Sequence, residues 1–332
     1  MRIALDAMGS DEAPTVEVEG AIGALRELPA HVRVVLVGDQ EVVRAELDKH
    51  DAALRERIDV VHARDRIGMG ESPAQAIRRK PLSSIVVGLT LHKEGEADAF
   101  ISAGSTGAVM AGSLVILKAI AGVDRPPVGA IYPTAGAPTL MLDAGANIDM
   151  RPHNLLQFAL LGSTYAQDVM GVARPRVGLL NIGEEPEKGN ELAVDTYPLL
   201  AGSDQLNFVG NVEGRDVVHG VCDVLVCDGF VGNVLLKFYE SMAGFFAGLL
   251  RSEAGGSLAR IDSDAVLRRL DYAEYGGAPL LGVNGVVVIC HGGSPPKAIR
   301  NAIRMAHQLV ERNTLEHSRT QLAASAASTE AA

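Results

Sequence analysis

The sequence predicts an α/β protein, a three-layer αβα sandwich built around a mostly parallel sheet. Three observations carry that prediction. Strand-like apolar runs alternate with helix-like patterns along the chain, the signature of parallel strands joined by crossover helices. Many of the 36 glycines fall directly after the apolar runs, where strand-to-helix turns need them. At 332 residues and 47% apolar, the chain can fill a sizeable core.

The elements follow in order. "RIALDAMGSDEAP" opens as a strand and loop, and Asp11 or Thr15 can cap the helix pattern "VEVEGAIGAL". "VRVVLVGD" (32–39) is a strand leading into the helix "QEVVRAELDKH". "IDVVHA" (58–63) leads through a charged, Gly-rich loop into "SPAQAIRRK", where Ser72 can cap and Pro73 fits the first turn. "ADAFISAGSTG" is the next strand and loop. The apolar stretch at 107–123 is interrupted by Lys118 and falls short of the ~20 residues a membrane span needs, so it reads as a buried helix. "TLMLDAGAN" (139–147), "PRVGLLNIGEEPEKGNE" (175–191), "DVLVCDGFVGN" (223–233) and "GVVVICHGGSPP" (285–296) complete the strands. In the last of these, Ser294 and Pro295 repeat the cap-plus-proline pattern before "KAIRNAIRMAHQLV".

"NVLLKFYESMAGFFAGLL" (233–250) breaks the rhythm. One apolar stripe runs through Leu235, Phe238, Met242, Phe245 and Leu249, a second through Leu236, Tyr239, Phe246 and Leu250. That arc is wider than one core-facing side requires. With the break "SEAGGS" and the pattern "DSDAVLRRLDYAEY", it predicts a projecting helical hairpin at about 233–274. Its apolar face is either a second core contact or a dimer or membrane contact. No linker interrupts residues 1–318, which predicts a single catalytic domain, and the low-complexity end, 319–332, predicts a disordered tail.

A net charge of −11 disfavours nucleic acid as a partner, because phosphate-backbone binding is driven by Lys and Arg. The start lacks the apolar core of a signal peptide. Cys222, Cys227 and Cys290 lie in strand-like runs without a CxxC pair, so they read as buried thiols in a reducing compartment. Asp6, Asp11 and Asp143 lie on different loops with no ligand spacing, which predicts no metal. His291 follows a strand without a GxSxG elbow, which argues against a Ser-His-Asp hydrolase.

The chemistry concentrates in the strand-end loops. In "SAGSTGA", Gly104 and Gly107 let backbone N–H groups converge, Ser105 and Thr106 add hydroxyls, and a helix N-terminus follows. This loop is neither a Walker A loop nor a dinucleotide fingerprint. It is either an anion cradle or a plain turn. Lys188 in "NIGEEPEKG" can neutralise a phosphate or oxyanion, or be a solvated surface lysine. Asn233 in "DGFVGN" can cap a helix or hydrogen-bond a substrate carbonyl. Loops offering Gly, Ser, Thr, Asn and Lys without an obvious nucleophile suit phosphate binding and charge stabilisation.

"ALDAMGSDEAP", "ESPAQAIRRKPLSS", "SAGSTGA", "LDAGAN", "RVGLLNIGEEPEKG", "NFVGNVEGRD", "DVLVCDGFVGNVLLK" and "YGGAPLLGVNG" occur in this order. Together, over roughly residues 1–315, the chain resembles the bacterial phosphate acyltransferase family of phospholipid synthesis. The resemblance implies a fold like isocitrate dehydrogenases and phosphate acetyltransferases. It implies transfer of a long-chain acyl group from acyl carrier protein to inorganic phosphate, with no cofactor. The acyl phosphate would feed a membrane glycerol-3-phosphate acyltransferase. It further implies a cytoplasmic homodimer associated peripherally with the inner face of the membrane through the hairpin, with Phe245, Phe246, Leu249 and Leu250 at that contact. On this basis phosphate is expected at Gly104, Ser105, Thr106 and Gly107, beside Asp6 and Gly9, with Lys188 and Asn233 as the catalytic pair. Arg78, Arg79, Lys80, Arg268 and Arg269 are the expected docking residues for the acidic carrier protein. The chain departs from the family pattern at Ser10, Glu12 and Ser105, which weakens specific roles for those two loops. Two rival readings are an NADP-dependent decarboxylating dehydrogenase of similar fold and a non-catalytic membrane scaffold.

Overall fold

A computed structural model describes residues 1–253 and 272–331. In chain order the elements are β1 (Arg2–Asp6), α1 (Thr15–Glu27), β2 (Arg33–Gly38), α2 (Gln40–Leu47), α3 (Ala52–Arg55), β3 (Ile58–His62), α4 (Pro73–Arg79), α5 (Ser84–Lys93), β4 (Ala99–Ser102) and α6 (Thr106–Ile116). There follow β5 (Gly129–Tyr132), β6 (Thr139–Leu142), α7 (Pro152–Asp168), β7 (Arg176–Asn181), α8 (Glu191–Ala201), β8 (Asn207–Glu213), α9 (Gly214–Val217), β9 (Val224–Val226) and α10 (Gly229–Glu253). The strands β10 (Ala278–Leu280) and β11 (Val287–Ile289) precede two helices, Pro296–Glu311 and Thr314–Ala331.

The chain divides into two compact units, where the sequence predicts a single domain. One comprises Met1–Pro126, Asp168–Met170 and Gly276–Ala332, the other Pro127–Gln167 and Gly171–Tyr275. Each has its own sheet, and composition does not change where the chain passes from one to the other, so the sequence carries no boundary signal.

In the first unit the strand order is β10-β11-β4-β1-β2-β3, parallel except for the β10–β11 pair. Ile3, Ala4 and Leu5 of the central β1 are fully buried, as expected for a parallel strand covered on both faces. The chain moves outward from β1 to β2 and β3, then returns to place β4 on the other side of β1. This reversal makes the carboxyl ends of β1 and β4 a topological switch point, the place where open α/β sheets bind ligands.

The second unit repeats the device. Its order is β5-β6-β9-β7-β8, parallel except for β5–β6. Here β8 lies on one side of β7 and β9 on the other, so the carboxyl ends of β7 and β9 form a second switch point.

Several boundaries differ from expectation. The helix expected up to residue 123 ends earlier, at Ile116, two residues before Lys118 takes a φ of 66°. Helix α1 starts at Thr15, directly after Pro14, with no side-chain cap. At 296 the helix starts one residue after Pro295, which itself stands in the cap position. The low-complexity end is helical to Ala331 rather than disordered, in keeping with its many alanines, the best helix formers. Helix α10 covers the first arm of the expected hairpin. Arg268 and Arg269 in the second arm, and the side chain of Leu250, lie outside the described residues. No described helix is long and apolar enough to cross a membrane.

Candidate active site

At the first switch point the loop after β1 and the loop after β4 press against each other. A Cβ on Gly9 would fall 2.6 Å from the backbone nitrogen of Gly104, so only glycine permits the approach. Ser102 links the two loops. Its hydroxyl donates to Asp6 Oδ2 at 2.7 Å and accepts the Gly104 N–H at 3.0 Å. Asp6 Oδ1 accepts the Met8 N–H at 3.0 Å. Asp6 is fully enclosed, and burial raises its carboxyl above the ordinary carboxylate range against the pull of Ser84, Ser102 and Met8.

The expected cradle residues therefore divide. The Gly104 N–H is committed to Ser102, and Asp6 holds the loop from beneath. Ser105 caps α6 by accepting the Ala108 N–H at 3.4 Å. Thr106 and Gly107 sit in the first turn, where N–H groups have no intrahelical acceptor, at the positive end of the helix dipole. These are the donors an anion would meet. Gly9→Ala pushes the two loops apart and is expected to lower the unfolding free energy by about 1–3 kcal/mol. A urea denaturation midpoint equal to wild type would contradict this.

Two residues at this site escaped the sequence reading. Arg66, from the loop after β3, donates to the carbonyl oxygens of Ser10 at 2.8 Å and Gly9 at 3.4 Å. Its guanidinium also lowers the Asp6 carboxyl's affinity for protons. Glu17 on α1 is buried beneath the same loop and accepts the Ser10 N–H at 2.8 Å. Burial pushes its carboxyl up to about 7. Arg66 was traceable as a basic residue in a strand-end loop. Glu17 gave no signal, because "VEVEG" looks like an ordinary solvated acid.

Lys80 belongs to this framework. Its ammonium donates to the Arg66 carbonyl at 2.8 Å and to Glu71 Oε1 at 2.7 Å. Arg78 and Arg79, in the last turn of α4, are exposed and make no ion pair among the described residues.

At the second switch point the loop after β7 carries Lys188. Asn181 closes this loop by donating to the Lys188 carbonyl at 2.9 Å, and Asn190 caps α8 by accepting the Ala193 N–H at 2.9 Å. Lys188 is exposed, and its ammonium makes no ion pair among the described residues. Asn233 lies in the second turn of α10, not at its cap, against the loop that follows β6: its side chain is 3.2 Å from where a Cβ on Gly145 would stand. That loop is organised by Asp143, whose buried carboxylate accepts the N–H groups of Val128 at 3.0 Å, Ala146 at 3.1 Å and Asn147 at 2.7 Å, and the Asn147 amide at 3.0 Å. Those four donors occupy its oxygens. Helix α10 seats on this loop through glycine: a Cβ on Gly232 would fall 1.9 Å from the Asp143 carbonyl oxygen.

The wide apolar arc of α10 resolves into two faces. Leu235, Leu236 and Tyr239 pack on the core around Tyr132, whose hydroxyl donates to the Leu235 carbonyl at 2.7 Å. Phe238, Phe245, Phe246 and Leu249 are exposed. Between α10 and the loop after β7 lies a cavity of about 680 Å³.

The two α/β units, each with its sheet reversal, share their fold with solved phosphotransacylases. The structure superposes on the EutD phosphotransacetylase from Staphylococcus aureus with a TM-score of 0.61 at 18% identity, over 93% of this chain and 94% of that one. A phosphotransacetylase from Streptococcus pyogenes gives a TM-score of 0.60, also at 18% identity, over 94% of each chain. In sequence, the phosphate acyltransferase of Heliobacterium modesticaldum is 53% identical over 321 residues, 94% of this chain and 95% of that protein. The phosphate acyltransferase of Desulforamulus reducens is likewise 53% identical, over 94% of both. The profile of the family described as "Fatty acid synthesis protein" matches residues 1–317, and the chain belongs to that family.

Proposed function

We propose that this chain is an acyltransferase that moves a long-chain fatty acyl group from acyl carrier protein to inorganic phosphate, giving an acyl phosphate for phospholipid synthesis. The observation that carries the reading is the first switch point, where Thr106 and Gly107 open the first turn of α6 beside the loops that Arg66 and Ser102 brace. The family relationship supports the acyl donor. A phosphate oxygen attacks the thioester carbonyl, a C–O bond forms, the C–S bond breaks, and the carrier thiolate leaves and takes a proton from solvent. Lys188 offsets the developing negative charge and Asn233 donates to the carbonyl or phosphate oxygen. The test is phosphate-dependent release of carrier thiol from palmitoyl-carrier protein. Release at the same rate without phosphate would sink the reading.

The finer parts of the reading rest on surface features. Arg78 and Arg79 are free to meet an acidic carrier protein, whereas Lys80 is engaged internally. The exposed positions of Phe245, Phe246 and Leu249 support peripheral membrane contact or a homodimer face. Through that contact a cytoplasmic enzyme could pass its product to a membrane glycerol-3-phosphate acyltransferase. Replacing Phe245 and Phe246 with Ser is expected to reduce cosedimentation with anionic lipid vesicles at least several-fold. Undiminished cosedimentation would remove these residues from the membrane contact.

A further inference from the structure

We propose that the cavity beside α10 is the binding groove for the alkyl chain of the acyl donor, and that Val234 and Phe238 set the chain length it accepts. The proposal rests on the acyl-transfer reading above and deepens it.

The groove is lined by two chemically distinct sets of residues. One is polar: Asn181, Asn190 and Asp228, at the loops that follow β7 and β9. Lys188 belongs to the loop that Asn181 and Asn190 bracket, and Gly189 beside it lines the groove, so the groove adjoins the segment assigned to the reacting carbonyl. The other is apolar: Leu155, Leu179 and Leu192, together with Val231, Val234 and Phe238 of α10. Spaced by three and four residues, the α10 side chains share one helix face. The volume of about 680 Å³ lies within the ordinary range of small-molecule sites, and such sites pair an apolar wall with a few convergent polar groups.

Phe238 and Val234 are 63% and 56% exposed, although they are large apolar residues. An unbranched alkyl chain complements that surface. It brings no hydrogen-bonding group that the wall would leave unmet, and each methylene buried is worth about fourfold in affinity. The carbonyl then stays beside the polar lining residues, where its oxygen can find a donor. Because discrimination accumulates per methylene, filling the groove should penalise long chains more than short ones.

The experiment compares kcat/KM for octanoyl-, dodecanoyl- and palmitoyl-carrier protein with phosphate, in wild type, Val234→Trp, Phe238→Ser and Val115→Trp. Val115 is exposed on α6, in the first unit, and controls for the addition of a bulky surface aromatic. The expected result is a fall of at least tenfold in the palmitoyl-to-octanoyl ratio for Val234→Trp, a smaller fall for Phe238→Ser and the wild-type ratio for Val115→Trp. An unchanged ratio in an active Val234→Trp protein overturns the groove and leaves the acyl-transfer reading standing. Equal losses at every chain length, with a change in native mass, assign the face to a second copy of the chain and also overturn it. If wild type releases no thiol from any donor, the acyl-transfer reading fails instead. Calorimetric titration with dodecanoate then decides the groove separately: at least tenfold weaker binding by Val234→Trp supports it, and equal binding overturns it.

Discussion

Lys188→Ala is expected to lower phosphate-dependent thiol release by a hundredfold to a thousandfold while leaving the melting temperature in place. The size follows from removing a positive group from the point where negative charge develops, an effect of about 10²–10³ in comparable oxyanion sites. The unchanged stability follows from the structure. Lys188 is exposed, its ammonium has no ion-pair partner among the described residues, and the loop's closure relies on its backbone carbonyl rather than its side chain. Exposed side chains of this kind alter stability by about 0.5 kcal/mol or less. Lys188→Arg retains the charge but replaces a compact ammonium with a wider planar fork, so partial activity is expected. If Lys188→Ala turns over at the wild-type rate, the charge must be met from another loop. If it melts early, the lysine is structural and the kinetic loss says nothing about charge.

Glu17→Gln is expected to stabilise the protein at alkaline pH and not at acid pH. The native carboxyl holds its proton up to about pH 7, because burial disfavours the anion and Asp6 nearby disfavours it further. In the unfolded chain it ionises near the ordinary glutamate value of 4.5. Between those values the native state therefore binds more protons than the unfolded state, and unfolding free energy falls as pH rises. The gap from 4.5 to about 7 is worth about 3 kcal/mol, fully felt only above pH 7. Glutamine can still accept the Ser10 N–H, and it never ionises. The advantage of Glu17→Gln over wild type should thus be near zero below pH 4.5 and grow by about 3 kcal/mol by pH 8.5. Urea denaturation at a series of pH values measures it. A constant difference between the two proteins at every pH would show that Glu17 is not the titrating group.

Most strands, the α/β class and the loops worth suspecting were legible in the sequence, because apolar runs ending in Gly, Ser and Asn report directly on strand-to-helix turns. The order of strands was not. That β4 lies beside β1, and β9 beside β7, is decided by long-range pairing such as Ile3 with Ala99 and Val177 with Val224. Without that order, the switch points that single out two loop pairs among many were invisible. Short strands such as β5 and β10 gave too few residues for a periodic signal. Loop polarity was legible, but commitment was not. Lys80 reads like its neighbours Arg78 and Arg79, yet it alone is tied to Glu71 and the Arg66 carbonyl. Gly104 reads as an anion donor, yet its N–H is taken by Ser102.

Helix α10 is fastened along its first part only. Its 25 residues extend about 37 Å, and Gly232 seats it on the Asp143 carbonyl near one end. Leu235, Leu236 and Tyr239 then hold the next two turns on the core, whereas Leu249 stands 17 residues from Gly232. A bend beyond Tyr239 displaces the far end and leaves Asn233, on the fastened part, in place. The exposed phenylalanines can follow whatever they touch while the Asn233 amide keeps its position.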